Sequence, residues 1–192
     1  MRIEVSEEPF AALEDYASVP IAFEVGSVLD VADAGDGRGG FVLTERTLAV
    51  PYVKDYDASG AESPLRWPER FDVSNWGLFA ARAEGRRVGG AAVAFDTAGV
   101  EMLEGRGDLA VLWDIRVAPE ARGRGVGRAL FRAAEMWARA RGCLRLKIET
   151  QNVNVAACRF YARQGCVLTT IDRNAYPELP DEIQLLWYKN LS

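Results

Sequence analysis

The chain carries Arg122-Gly123-Arg124-Gly125-Val126-Gly127 between an apolar run, Leu109–Val117, and a segment of helical periodicity, 126–141. Glycines at alternate positions allow a tight turn, and because they lack a Cβ atom a ligand can approach the main chain closely. The helix that follows presents unpaired N–H groups and the positive end of its dipole to that turn. The stretch therefore predicts a site for a phosphate or a diphosphate.

The glycine spacing excludes two other phosphate-binding motifs. A P-loop requires Gly-Lys-Ser/Thr after a four-residue gap, which the sequence lacks. The dinucleotide fingerprint requires G-x-G-x-x-G early in a βαβ unit, whereas this run is G-x-G-x-G and comes late in the chain. A mobile Arg/Gly surface loop is the alternative, but the strand before the run and the amphipathic helix after it favour the phosphate turn.

These residues resemble the signature of the GNAT N-acetyltransferases, Gln/Arg-x-x-Gly-x-Gly/Ala, which is met by Arg122, Gly125 and Gly127. The family's second landmark is Asn-x-x-Ala-x-x-x-Tyr-x-x-x-Gly-Phe. The matching residues are Asn154, Ala157, Tyr161 and Gly165, with Cys166 in the place of Phe. Two separate motifs in the right order carry the resemblance.

The resemblance implies that acetyl-CoA is the acetyl donor. The main chain of residues 115–117 would pair with the pantetheine arm much as an added strand would. The residues that the resemblance assigns to the donor are Ile115, Arg116, Val117, Arg122, Gly123, Arg124, Gly125, Val126, Gly127, Arg128, Asn154, Ala157 and Tyr161.

The order of predicted elements indicates an α/β protein with a mixed sheet. A hairpin is predicted over 76–95, a helix over 126–141 that ends at Gly142, a half-buried strand over 144–150, a helix over 154–164 and a closing strand over 183–188. The resemblance implies the GNAT fold, a mixed twisted sheet with helices on both faces and a splayed pair of central parallel strands. That pair would be Leu109–Val117 and 144–150.

A chain of 192 residues is expected to form one domain, residues 1–192. Residues 1–70 are its variable N-terminal portion, and residues 71–192 are the core with the acetyl-CoA motif. In the N-terminal portion, periodicity predicts a short helix over 10–19 and an extended segment over 41–50 that Pro51 stops. The polar interval 52–68 is expected to be disordered or a binding loop.

The composition excludes several kinds of chemistry. The absence of histidine removes Ser-His and Cys-His nucleophile schemes and His-ligated metals. Cys143, Cys158 and Cys166 are odd in number and lack C-x-x-C spacing, so we expect buried thiols, no disulfide framework and no metal site. No apolar run approaches the roughly 20 residues of a membrane helix, and the N-terminal residues lack the apolar core of a signal peptide. We therefore expect a cytoplasmic protein with no membrane partner.

Charge is unevenly distributed along a chain of formal net charge −5. Residues 116–147 hold nine basic residues against two acidic ones, whereas residues 1–36 hold nine acidic residues and one basic residue. This pattern suits an anionic cofactor and a small cationic amine substrate, although acidic residues that only solvate the surface give the same pattern. Because no basic stripe lies outside the motif, nucleic acid is not an expected partner. The sequence leaves open whether two chains form a homodimer.

Beyond the two motifs, the chain resembles the streptothricin (nourseothricin) acetyltransferase branch. The resemblance is carried by 51–56, by the run 148–162 and by Tyr176-Pro177 with 182–188. It implies acetyl transfer to the amine of the β-lysine arm of streptothricin. The branch tends to carry Glu immediately before the residue at Asp114, and Trp113 stands there instead, so a role for that Glu is not carried over.

Direct attack by an amine requires a group that removes a proton from nitrogen and one that protonates the thiolate. Tyr161 is the candidate acid by its place in the motif, and its alternative is a core aromatic beside Phe160. The candidate base is Glu149, with Asp114 second, either acting through a water. Glu149 alternates away from the apolar residues of its strand, and its alternative is a solvated surface carboxylate.

Two other functions stay open at this stage. The chain could acetylate a different amine, such as a polyamine, an aminoglycoside, or a protein N-terminus or lysine. It could also be a non-catalytic acetyl-CoA-binding module, although the presence of Asn154 and Tyr161 speaks against this. An assay of several amines distinguishes these cases.

Overall fold

The structure is a computed structural model, and it describes residues 2–35, 39–58, 60 and 62–192. The helices and strands in chain order are β1 (Ile3–Glu8), α1 (Leu13–Ala17), β2 (Phe23–Asp33), β3 (Phe41–Lys54), α2 (Trp67–Arg70), β4 (Gly77–Ala83), β5 (Arg86–Phe95), β6 (Leu109–Val117), α3 (Val126–Ala140), β7 (Arg145–Gln151), α4 (Val155–Arg163), β8 (Val167–Asp172) and β9 (Gln184–Asn190).

Contacts group the chain into two compact units. One comprises Met1–Ala22, Asp55–Ile148 and Tyr188–Ser192, and the other comprises Phe23–Lys54 and Glu149–Trp187. The prediction of one domain, with its variable part ending at residue 70, stays a prediction.

The first unit contains a mixed sheet, as the sequence predicted. Its strands lie in the order β1-β4-β5-β6-β7. The first four are antiparallel to their neighbours, and β6 is parallel to the start of β7, with Leu109 opposite Arg145 and Leu112 opposite Ile148. The predicted hairpin is β4 and β5. Sequence analysis missed β1, which alternates apolar and polar residues only from Ile3 to Ser6 and pairs with β4 along its whole length.

Helices cover both faces of this sheet, and two adjacent glycines of β5 show it. A Cβ atom on Gly89 would lie 3.1 Å from Val126 of α3, and one on Gly90 would lie 2.5 Å from the ring of Tyr16 of α1. Because successive residues of a strand point to opposite faces, α3 and α1 pack on opposite sides of β5. Both glycines allow this close approach of helix to strand.

Helix α3 follows its predicted pattern. Its buried side chains are Val126, Leu130, Phe131, Ala134, Trp137 and Ala138. The helix ends where predicted, because Gly142 adopts the left-handed conformation, with φ +78°.

The face of the sheet that carries α1, opposite α3, is covered by an aromatic cluster. Trp67 of α2 and Trp76 are buried beside Tyr16, and Phe71 and Trp113 pack against them. The prediction of an irregular loop over 52–68 is therefore wrong at both ends. Residues 52–54 complete β3, and Pro64–Arg66 form a 3₁₀ turn that leads into α2. Ser59 and Ala61 of this interval lie outside the described residues.

In the second unit, β2 and β3 form a long antiparallel ribbon. The prediction that Pro51 ends the extended segment is wrong, since β3 runs on to Lys54. Proline lacks the N–H that a strand ladder uses, but the pairing shifts between Val25 and Ser27, where Val25 faces Tyr52 and Ser27 faces Thr47. Pro51 lies in the resulting bulge, which requires no donor from it.

The rest of the second unit contains the last residues of β7, then β9 and β8 as successive neighbours, and α4. The prediction of a half-buried strand over 144–150 is only partly right, because Lys147 and Thr150 are buried as well as Leu146 and Ile148. Helix α4 begins after Asn154 and is followed by Gly165 at φ +77°, as predicted.

Candidate active site

The glycine turn before α3 has the geometry of an anion site. Gly123 and Gly125 are both left-handed, at φ +73° and +89°, and Gly125 is the N-cap of α3. Across the described residues, no acceptor is bonded to the amides from Gly123 to Arg128. A Cβ atom added at Gly125 would meet only Ile3 Cδ1, at 3.8 Å, so the space above the turn is open. Unpaired amides at a helix N-terminus with open space above them fit a diphosphate.

The arginines of the turn divide into two kinds. Arg122 supports the turn, because its Nε donates to the carbonyl of Val117 at 3.0 Å and its Nη2 donates to the carbonyl of Ala22 at 2.8 Å. Arg124 and Arg128 are exposed, and within the described part of the chain neither has an acidic partner. These two guanidinium groups are available to a bound anion.

Strand β6 leaves a main-chain edge unpaired just before the turn. Its pairing with β7 ends at Leu112, yet β6 continues to Val117 while still paired with β5. The register with β5 shifts between Ala92 and Val93, and Trp113 is the extra residue of this bulge. The edge at Ile115–Val117 can therefore accept an extended ligand as a strand would, apart from the carbonyl of Val117, which already accepts a hydrogen bond from Arg122. This agrees with the splayed pair of parallel strands that the sequence resemblance predicts for Leu109–Val117 and 144–150.

The side chain of Arg116 belongs to a buried ion cluster. Its Nη2 lies 2.6 Å from Asp114 Oδ2, its Nη1 lies 2.9 Å from Asp57 Oδ2, and Nη1 also donates to the carbonyl of Val19. Burial raises the pKa of Asp114, and Arg116 opposes that rise. The Tyr16 ring lies under the guanidinium, with its centroid 5.2 Å from Cζ of Arg116, and its hydroxyl is buried. The side chain of Arg116 is therefore committed to this cluster and is not available to a cofactor.

In the second unit, the second motif starts a helix and buries its tyrosine. Asn154 caps α4 by accepting a hydrogen bond from the amide of Ala157 at 3.1 Å. Tyr161 lies one turn further along and is only 5% exposed, with its ring edge-on to Phe160 at 5.2 Å.

Glu149 of β7 is held by three neutral donors. Its Oε1 accepts hydrogen bonds from Tyr176 Oη at 2.5 Å and from Gln151 Nε2 at 3.4 Å, and its Oε2 accepts from Gln184 Nε2 at 2.9 Å. No lysine or arginine of the described residues forms an ion pair with this half-buried carboxylate. Burial and the charge of Glu149 raise the pKa of Tyr176, so the phenol keeps its proton. The carboxylate is thus oriented but lacks a counter-ion.

The structure groups the predicted residues by unit. Residues 114–117 and 122–128 follow one another on β6 and its turn, whereas Glu149 and residues 154–161 belong to the second unit. Sequence reasoning missed Asp57 as the partner of Arg116, and Tyr176 and Gln184 as partners of Glu149. Only Gln151 had a signal, because it lies two residues after Glu149 on the same side of a strand.

Other features concern the three thiols and membrane or metal partners. Cys143, Cys158 and Cys166 are all free and buried, as predicted. None of the helices in the described ranges is long and apolar enough to cross a membrane. Those ranges also hold no group of three Cys, Asp or Glu side chains arranged for a metal ion.

Known proteins resemble the chain over most of its length. The sequence profile of the Acetyltransferase (GNAT) family matches residues 45–166. The streptothricin acetyltransferase of Streptomyces lavendulae is 31% identical over 170 residues, which cover 88% of this chain and 84% of that protein. The one from Escherichia coli is 32% identical over 164 residues, covering 84% and 83%. A crystal structure of nourseothricin acetyltransferase superposes with a TM-score of 0.77 at 27% identity and covers 100% of both chains.

Proposed function

The chain belongs to the acetyltransferase (GNAT) family, and we propose that it acetylates a primary amine of a small cationic substrate, the β-lysine amine of streptothricin-type antibiotics. Membership of the family makes the chain an acyltransferase, with acetyl-CoA as its acetyl donor. When bound, acetyl-CoA supplies the acetyl group as a reactive thioester. The named acceptor comes from the streptothricin acetyltransferases that share about a third of their residues with this chain.

The turn before α3 is the proposed site for the diphosphate of the donor. The unpaired amides from Gly123 to Arg128 offer several donors to phosphate oxygens, and the helix dipole favours the negative charge. Arg124 and Arg128 add positive charge from the side. The edge of Ile115–Val117 that β7 leaves unpaired would pair with the amides of the pantetheine arm. In the second unit, Asn154, Ala157 and Tyr161 are assigned to the donor by the family motif.

The proposed chemistry rests on the hydrogen bonds that Glu149 accepts and on its lack of an ion pair among the described residues. A half-buried carboxylate with three neutral donors and no cationic partner is suited to receive an ammonium group and then to take a proton from it. The ammonium group loses two protons in becoming an amide. Glu149 is the proposed acceptor of the first proton, directly or through a water, which leaves a neutral amine. The amine nitrogen then forms its bond to the acetyl carbon as the carbon–sulfur bond breaks, and the second proton that leaves nitrogen balances the proton that joins sulfur.

Asp114 is the weaker candidate base. Burial raises the pKa of Asp114, which suits a base, but Arg116 binds its Oδ2 through both Nε and Nη2. Because one oxygen of Asp114 accepts both hydrogen bonds from the guanidinium, this carboxylate is committed to a cation that would oppose its taking a proton. Its clear task is to hold Arg116 within the first unit.

Tyr161 is the proposed acid that protonates the thiolate. A phenol holds its proton at neutral pH, so it can donate one as the leaving group departs. Its position in the family motif supports this role. Burial of the ring against Phe160 is compatible with it, since a buried ring has a fixed orientation.

The test is acetylation by the purified chain with acetyl-CoA and one amine at a time. Streptothricin should gain one acetyl group, detected by mass, with a kcat/KM at least about tenfold above that for a polyamine, an aminoglycoside or a lysine peptide. Better turnover of another amine would reassign the acceptor. Tight acetyl-CoA binding without turnover of any amine would mean a non-catalytic module. Glu149→Gln should abolish most turnover without weakening acetyl-CoA binding.

A further inference from the structure

Tyr176 lies on the segment between β8 and β9 and reaches the carboxylate of Glu149. A carboxylate oxygen can accept two hydrogen bonds. Oε1 of Glu149 is filled by Tyr176 and Gln151, whereas Oε2 holds only the bond from Gln184. The remaining acceptor position of the carboxylate is therefore on Oε2.

The phenol of Tyr176 has one direction in which to donate. Gln151 Nε2 donates to Tyr176 Oη at 2.8 Å, which occupies the oxygen, and the hydroxyl hydrogen lies toward Glu149 Oε1 at 2.5 Å. A hydrogen bond of this length from a hydroxyl to an ionised oxygen is among the strong ones. Burial and the neighbouring negative charge raise the pKa of Tyr176, so the phenol keeps its proton and remains a donor.

The segment that carries Tyr176 is fastened on both sides of it. Before Tyr176, Arg173 donates to the carbonyl of Val31 and to Asp33. After it, Glu182 pairs with Lys54 at 2.5 Å, with both side chains largely buried. The segment that carries the phenol is thus held on both sides of it by contacts that do not involve Glu149.

We propose that Tyr176 is a positioning residue, whose phenol fixes the Glu149 carboxylate so that Oε2 is the oxygen that meets the substrate amine. This rests on the proposed function, in which Glu149 takes the amine proton. Tyr176 touches neither substrate nor donor in this proposal, and acts only through Glu149.

The first test compares Tyr176→Phe with a matched control. The change removes one hydroxyl and should lower kcat about tenfold or more, because a small displacement of a base from its reactive position lowers the rate steeply. The KM for acetyl-CoA should not change. Tyr188→Phe is the control, since its phenol also bonds to a carboxylate, Glu104 Oε1 at 3.0 Å, and should leave kcat unchanged. Wild-type kcat in Tyr176→Phe would overturn the proposal.

The second test asks whether the phenol acts through Glu149. In a Glu149→Gln background, Tyr176→Phe should cost no further activity, and an equal loss in both backgrounds would contradict the proposal. Gln151→Leu, which leaves Tyr176 in place but frees its oxygen, should lower kcat in the same direction. Thermal melting of each variant checks that it folds.

A readout without activity separates this proposal from the proposed function. The short phenol–carboxylate bond should give a downfield proton resonance in the wild type that is absent from Tyr176→Phe and from Glu149→Gln. Such a resonance together with full kcat in Glu149→Gln would contradict the role of Glu149 as base. Reduced kcat in Glu149→Gln without any such resonance in the wild type would contradict only the role of Tyr176.

Discussion

Replacing Gly125 with alanine separates the role of the glycine turn in acetyl-CoA binding from its role in stability. Gly125 has φ +89°, which costs a residue with a Cβ atom about 1–2 kcal/mol. In a chain of this size each kcal/mol lowers Tm by about 2–4 °C. The new Cβ atom meets only Ile3 at 3.8 Å, so the protein itself does not reject it. A bound diphosphate would meet it, and we expect the Kd for CoA to rise at least about tenfold, or about 1.4 kcal/mol.

Gly142 provides the matched control at the other end of the same helix. It has φ +78° and open space around its Cβ position, so Gly142→Ala should cost the same stability. It should leave CoA affinity unchanged. Calorimetric titration with CoA and thermal melting of both variants measure the two effects. The reasoning is refuted if Gly125→Ala binds CoA as the wild type does, or if both variants lose affinity equally.

Three further predictions concern Arg116, Asn154 and Tyr161. Arg116→Met removes the cation between Asp114 and Asp57 and should lower the free energy of unfolding by about 3–5 kcal/mol. Burial already raises the pKa of Asp114, so in mild acid this carboxyl can take a proton and no longer needs the cation. The loss of unfolding free energy, measured by urea unfolding, should therefore be larger at high pH than in mild acid. A loss that does not change with pH would contradict this. Asn154→Ala removes the side chain that caps α4 and should lower the free energy of unfolding by about 1 kcal/mol, measured by thermal melting. Asn154→Asp keeps an oxygen that can accept the same hydrogen bond and should retain most of this stability. Tyr161→Phe should lower kcat about 100-fold or more at unchanged Kd for acetyl-CoA, and equal turnover would remove Tyr161 as the acid.

Local rules predicted the parts of the fold that depend on near neighbours in sequence. The glycine turn and the end of α3 follow from the conformations that glycine alone adopts without strain, and α4 follows from the cap at Asn154 and the stop at Gly165. The prediction at Pro51 failed because the effect of a proline on a strand depends on whether its partner requires a donor there. That depended on the shift of pairing between Val25 and Ser27 of β2, which lie far from Pro51 in sequence.

The candidate site was predicted where a motif carries it and missed where distant residues complete it. Glu149 was identified from alternation along its strand, but the donors that orient it include Tyr176 and Gln184, which lie 27 and 35 positions further along the chain. Arg116 was assigned to the donor through its main chain, and nothing in the sequence indicated that its side chain pairs with Asp57, 59 positions earlier. No sequence pattern links such pairs, because side-chain contacts between distant segments form only once the backbone is folded.

The central claim is that the main-chain amides between Gly123 and Arg128 bind the diphosphate of acetyl-CoA. A crystal structure of the chain with CoA tests it most directly. We predict phosphate oxygens within hydrogen-bond distance of these amides, with Arg124 or Arg128 alongside. A diphosphate bound at any other place, with the glycine turn unoccupied, would contradict the account.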